Sequence, residues 1–160
     1  MGYKNSKLEE YAEPISKSEK EQCENAIDMV KEALINYGYT VIKNRNNYTT
    51  DGYAYYYELK SYNYSSVTIL VQGSYANNTN IKRYSDVDVS VIYTPIIPIS
   101  IEVYFKKYKN EIYTALYKKF GNDVEKRNKS IKVKGNTYRK SIDVVPAFSL
   151  TQNLEDGIQF

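Results

Sequence analysis

The chain has 160 residues, 42% of them hydrophobic and 26% charged, with a formal net charge of +3. These are the proportions of one globular domain able to bury a core. It has no histidine and a single cysteine, Cys23, which excludes an internal disulfide, a cysteine zinc site, and any histidine base or metal ligand. No apolar run is long enough to cross a bilayer and no signal-peptide core opens the chain, so a cytoplasmic protein with no membrane partner is expected.

Residues 1–15 are polar, broken by Pro14, and read as an N-terminal arm; residues 16–160 read as one folded core. Ser18 with Glu21 forms a capping box, and Cys23, Ala26, Ile27, Val30, Ala33, Leu34 and Tyr37 follow helical spacing. A helix is therefore expected over Ser18 to Tyr37, closed by Gly38, with Cys23 and Met29 as core filler. Thr40 to Lys43 reads as a short strand and Asn44 to Gly52 as a turn-rich loop. The chain holds nineteen tyrosines and no tryptophan, and Tyr53-Ala54-Tyr55-Tyr56-Tyr57 reads as an edge strand or loop packed by aromatics. Stacking on nucleobases is the alternative for that cluster.

Val67 to Val71 is an apolar run of strand length that delivers Gly73-Ser74, where a short helical turn should begin. Such a turn offers backbone N–H groups to an anion, Gly73 lets the main chain approach a phosphate, and Ser74 adds a hydroxyl. An ordinary turn is the competing reading, and no Gly-Lys-Ser/Thr follows to make a Walker loop. After a polar stretch from Ala76 to Ser85, a second strand opens with Asp86-Val87-Asp88. Residues i and i+2 of a strand share a face, so the two carboxylates project together and call for a cation between them. Hard oxygen ligands at this spacing suit magnesium, which also binds substrate phosphates.

Pro95 and Pro98 stop that strand, and Ser100 starts a second helix to Phe120, with Phe105, Tyr108, Ile112, Ala115 and Leu116 on one face and Gly121 at its end. Ile131 and Val133 then alternate with lysines, Gly135-Asn136 turns, and Tyr138 to Phe148 returns as the second strand of a hairpin. Asp143 sits on that strand among Ile142, Val144 and Val145. An acid there is costly unless it binds metal or pairs with a lysine or arginine. If this strand lies beside the one carrying Asp86 and Asp88, three carboxylates meet at one sheet edge, the geometry for two metal ions and in-line attack on phosphorus. Lysine and arginine cluster between Lys106 and Lys140, either as solvated faces or as a basic wall for triphosphates or nucleic acid. The sequence leaves a nucleic-acid partner undecided.

Gly73-Ser74-Tyr75, Thr79, Ser85-Asp86-Val87-Asp88-Val89 and Asp143-Val144-Val145-Pro146 together resemble the DNA polymerase beta-type nucleotidyltransferases. Within them the pattern is most similar to the bacterial cyclic-oligonucleotide synthases, relatives of cyclic GMP-AMP synthase and oligoadenylate synthase. The resemblance spans Val67 to Phe148, about half the chain. It implies an α/β (α+β) fold with a mixed sheet and helices mainly on one face. It also implies NTP substrates, two magnesium (or manganese) ions on Asp86, Asp88 and Asp143, and triphosphate held by Gly73 and Ser74. The expected product is a cyclic or short oligonucleotide made in antiviral defence. Such synthases carry a further helical domain as the other wall of the cleft; here that domain, or a partner chain, would have to complete it. Two alternatives share the fold: a small antitoxin that binds or modifies a toxin, and an RNA-tailing transferase.

Overall fold

Two capping boxes overlap at the start of the first helix, Ser16-x-x-Glu19 and Ser18-x-x-Glu21, and the chain uses the earlier one. In the computed structural model, helix α1 runs Lys17–Tyr37. The Ser16 side chain accepts from the Glu19 backbone, and the Glu19 carboxylate accepts in return from Ser16. The choice lengthens the helix beyond the expected start at Ser18 and satisfies two N-terminal donors at once. The structure describes residues 14–49, 52–60, 66–76, 86–95 and 100–149, with the backbone alone at 43–49, 52–56, 58 and 101. Most of the expected arm, the polar loop with Thr79 and Ser85, Pro98, and the last eleven residues lie outside the described residues.

The expected face of α1 is buried: Cys23, Ala26, Ile27, Val30, Ala33 and Leu34 are all at 1% exposure or less. Burial pushes the Cys23 thiol up to about 11, so at neutral pH it is an apolar filler and not a nucleophile. Gly38, at φ 126°, ends the helix and donates to the Leu34 and Ile35 carbonyls.

Residues 44–49 are not a loop: strand β1 covers Thr40–Thr49 and pairs antiparallel with β2, Gly52–Lys60. The polar run Asn44-Arg45-Asn46-Asn47 hides a strand because cross-strand pairing, not intrinsic preference, decides such segments. The tyrosine-rich segment lies in β2; from Tyr56 onward it is an inner strand, since β3 (Ser66–Gln72) pairs with Tyr56 to Lys60 on its other side. Tyr57 is buried there and donates to the Asp28 carboxylate at 2.9 Å.

A single helical turn, α2 (Gly73–Ala76), follows β3, then β4 (Val87–Thr94) and helix α3 (Ile101–Phe120). Tyr108, Ile112, Ala115 and Leu116 of α3 are buried as expected, whereas Phe105 is 37% exposed, its ring 5.7 Å from that of Phe148. A 3-10 turn (Gly121–Asp123) leads to β5 (Val124–Lys126), β6 (Ile131–Val133) and β7 (Ile142–Phe148). The three-residue β5 carries no readable periodicity and went unpredicted. The returning strand begins at Ile142, not Tyr138, because 134–141 form a loop in which the Asn136 side chain accepts from the backbones of Tyr138 and Arg139.

The seven strands form one mixed sheet in the order β1-β2-β3-β4-β7-β6-β5, parallel only between β4 and β7. Alternate residues of its central strands (Val67, Ile69, Val71, Val87, Val89, Val91, Ile142, Val144) and the buried sides of α1 and α3 form one core. Each large aliphatic chain so buried contributes about 1.5–3 kcal/mol. The Tyr108 hydroxyl reaches the Val91 carbonyl at 2.9 Å, tying α3 to the sheet.

Candidate active site

Burying every second residue of β4 and β7 leaves the intervening ones on the opposite face, and there the acids lie. Val87 and Val89 are buried, so Asp88 between them points away from the helices; Ile142 and Val144 do the same for Asp143. Pairing then sets a row across four strands. Gln72 of β3 is opposite Asp88, Asp88 is opposite Asp143 of β7, and Asp143 is opposite Lys132 of β6. Asp86 immediately precedes β4, and the strand is anchored there by the Val87 N–H donating to the Ser141 carbonyl at 3.0 Å.

Gly73 closes the row at its β3 end. Its φ of 71° is left-handed, and a Cβ added to it would collide with the Asp88 carboxylate, with the Asp88 Cβ and Cγ 3.3 Å away. Both facts require glycine. The strand-to-turn corner therefore sits directly against the carboxylate, with Ser74 next in the chain at the start of α2.

The electrostatics are those of crowded like charges. Burial, reinforced by the carboxylates of Asp143 and Asp86, holds the Asp88 carboxyl above its ordinary range, with Lys132 pulling the other way. The Lys132 ammonium donates to Asp86 Oδ2 at 2.6 Å. Asp143 Oδ1 accepts from the Ser130 hydroxyl at 3.4 Å and lies 3.6 Å from Arg127 Nη1. Beside the row, the buried Ser90 hydroxyl donates to Gln72 Oε1 at 2.7 Å.

The structure thus sets Gly73 against Asp88, makes Asp143 the register partner of Asp88, and leaves Asp86 two residues away. Among the described residues no three acidic, histidine or cysteine side chains are gathered closely enough to hold a metal ion as they stand. Asp86 is engaged by Lys132, and Asp143 by Ser130 and Arg127. In donor chemistry the residues fit a hard divalent cation: they are oxygen ligands in a row whose central member is short of positive charge. Lys132, Arg127, Ser130 and Gln72 were not identified from the sequence. The one available signal was the alternation Ile131-Lys132-Val133, which fixes the face of Lys132 but not what it meets.

Five of the basic residues in the expected wall make contacts within the scaffold. Lys119 pairs with Glu32 at 2.8 Å, Arg139 with Asp123 at 2.6 Å, and Lys140 with Glu19 at 3.1 Å. Lys126 donates to Asn110, and Lys109 to the carbonyls of Arg127 and Asn128. Among the described residues no helix is long and apolar enough to cross a membrane.

No protein-family model matches the sequence. The chain is 37% identical to the cyclic GMP-AMP synthase of Staphylococcus schleiferi over 92% of its own length and 51% of that protein. It is 30% identical to the cyclic dipurine nucleotide synthase of Elizabethkingia meningoseptica, covering 100% of this chain and 54% of that one. The solved structure of the Elizabethkingia meningoseptica CdnE cyclic dinucleotide synthase, with GTP and Apcpp, superposes with a TM-score of 0.59 at 30% identity. That match covers 92% of this chain and 45% of the other. The chain spans about half the length of the curated relatives it matches.

Proposed function

This chain is a homologue of the bacterial cyclic-nucleotide synthases over about half their length, with their nucleotidyltransferase fold, and on that premise we propose that it forms the triphosphate- and metal-holding side of a nucleotidyltransferase cleft. One observation supports this above the others: Asp88 and Asp143 are direct register partners on the sheet face away from the helices, with Asp86 two residues ahead and Gly73 in contact. Asp86, Asp88 and Asp143 are the metal-binding residues. Magnesium ions bound there supply charge to the triphosphate and lower the pKa of an acceptor hydroxyl. Gly73 presents the main chain, and Ser74 its hydroxyl, to the β- and γ-phosphates. The acceptor hydroxyl attacks the α-phosphorus, an O–P bond forms as the bond to the β-phosphate oxygen breaks, and pyrophosphate leaves. The carboxylate row would hold the cations that in turn bind the phosphate oxygens, and so would fix the line of attack.

The relatives make cyclic dinucleotides, so a cyclic or short oligonucleotide signal is the product we assign, serving antiviral defence in the cytoplasm. A second wall, from a further domain or a partner chain, completes the cleft. The test is incubation of the full-length gene product, second wall included, with four labelled NTPs and magnesium, followed by phosphatase, with its Asp86→Ala/Asp88→Ala variant alongside; the 160-residue chain alone should show little turnover. A phosphatase-resistant product that the variant fails to make, by at least about a hundredfold, is expected. Equal turnover by the variant would refute the assignment.

A further inference from the structure

The row of acids is already partly neutralised by the chain itself, and the neutralising groups come from one place. The hairpin of β5 and β6 supplies Arg127 and Ser130 to Asp143 and Lys132 to Asp86. It is pinned to α3, with Lys126 Nζ donating to Asn110 Oδ1 at 2.6 Å and Lys109 Nζ to the Arg127 carbonyl at 2.9 Å. Its own turn is closed by the Arg127 N–H donating to the Ser130 carbonyl at 2.9 Å. The fold therefore positions these groups; they are not arms swinging in solvent.

Lys132 is the strongest of the three. Ile131 and Val133 are fully buried on the core face, which commits the lysine between them to the opposite face. Its strand partner is Asp143, yet the ammonium passes that residue and bonds Asp86 instead. The lysine side chain is 19% exposed and Asp86 42%. A cation so withdrawn from water needs its carboxylate more than a surface lysine does.

We propose that Lys132 is a resident counter-cation for the carboxylate row, occupying Asp86 while no divalent ion is bound and giving it up when one binds. It is a positioning residue that sets the threshold for cation loading. This rests on the reading of Asp86, Asp88 and Asp143 as cation ligands. An ammonium and a divalent ion on one carboxylate repel each other, so each must weaken the other's hold. The lysine offsets part of the row's negative charge, and it raises the ion concentration needed to fill the site.

The experiment is manganese binding to the full chain, read from the paramagnetic resonance of free Mn2+. Wild type is compared with Lys132→Met, Lys132→Arg and Asp86→Ala/Asp88→Ala, and each variant's fold is checked by circular dichroism. Lys132→Met should bind Mn2+ about tenfold more tightly than wild type, since one charge-assisted hydrogen bond no longer competes. Lys132→Arg should restore the wild-type affinity. If Lys132→Met misfolds, Lys132→Gln, with a polar tip of similar reach, takes its place with the same expected direction. Binding that needs the aspartates but is unchanged or weakened without Lys132 overturns this inference and leaves the proposed function standing. Binding indifferent to the aspartates, or none at all, overturns both.

Discussion

The two faces of the central strands are made by neighbouring residues and obey opposite rules. On the helix side, Val67, Ile69, Val71, Val89 and Val144 are almost wholly buried, and volume is what each supplies. One residue along, Gln72, Asp88, Asp143 and Lys132 form a polar row in which the charges of Asp143 and Lys132 act on Asp88 in opposite directions. The first face stabilises the molecule, and the second holds like charges together against their repulsion. A strand rich in β-branched residues can carry both because its side chains alternate strictly. Stability and chemistry should therefore separate cleanly under mutation.

The sharpest break is the paired removal of Asp86 and Asp88, which should abolish NTP turnover by the full-length protein while leaving the fold intact by circular dichroism, relief of like-charge repulsion offsetting part of the loss of Lys132's partner. Next in size, Ile69→Ala on the helix side should cost about 2–5 kcal/mol in urea unfolding. Val144→Ala, with a smaller deletion, should cost less. Gly73→Ala tests the join between the faces: a left-handed backbone and a collision with Asp88 together should destabilise by about 1–3 kcal/mol and weaken triphosphate binding in the same variant. A mutant with full stability and no binding would show that the glycine serves the ligand alone.

The smallest effect carries a sign. Because Asp88 is held above its ordinary range in the folded chain, the folded state binds this proton more tightly than the unfolded state. Wild-type stability without metal should then fall as pH rises from the ordinary aspartate value through the folded one. Asp88→Asn removes that loss. Its advantage should be absent in acid, appear as pH rises through the folded value and level off toward neutral pH, small because Asp88 is only partly buried, as measured by urea midpoints across pH.

What the sequence could and could not reveal divides along the same lines. The buried face of α1, the span of α3, the strand at Val67 and the turn at Gly73 follow from periodicity and local chemistry, and each is found. The acid pattern on β4 and β7 was legible as a motif, but its neighbours were not. That Lys132 meets Asp86 depends on the register of β6 against β7 and on a reach across one strand, neither of which is encoded locally. The hairpin of β1 and β2 was missed because asparagine-rich strands are held by their partners. The helix began at Ser16 because two valid caps compete and the longer helix wins.

The single parallel contact in the sheet, between β4 and β7, has a consequence for how the molecule is made. Asp143 reaches Asp88 only after α3, the 3-10 turn, β5 and β6 have been laid down between them. Such a long excursion is among the slow closures in folding, and a ribosome releases the first two acids well before the third. A chain released only as far as β4 accordingly carries Asp86 and Asp88 without the strand that brings Asp143 beside them. On the proposed function, the cation site would be completed only when β7 docks beside β4, so Mn2+ binding would report that docking and not merely collapse of the earlier strands.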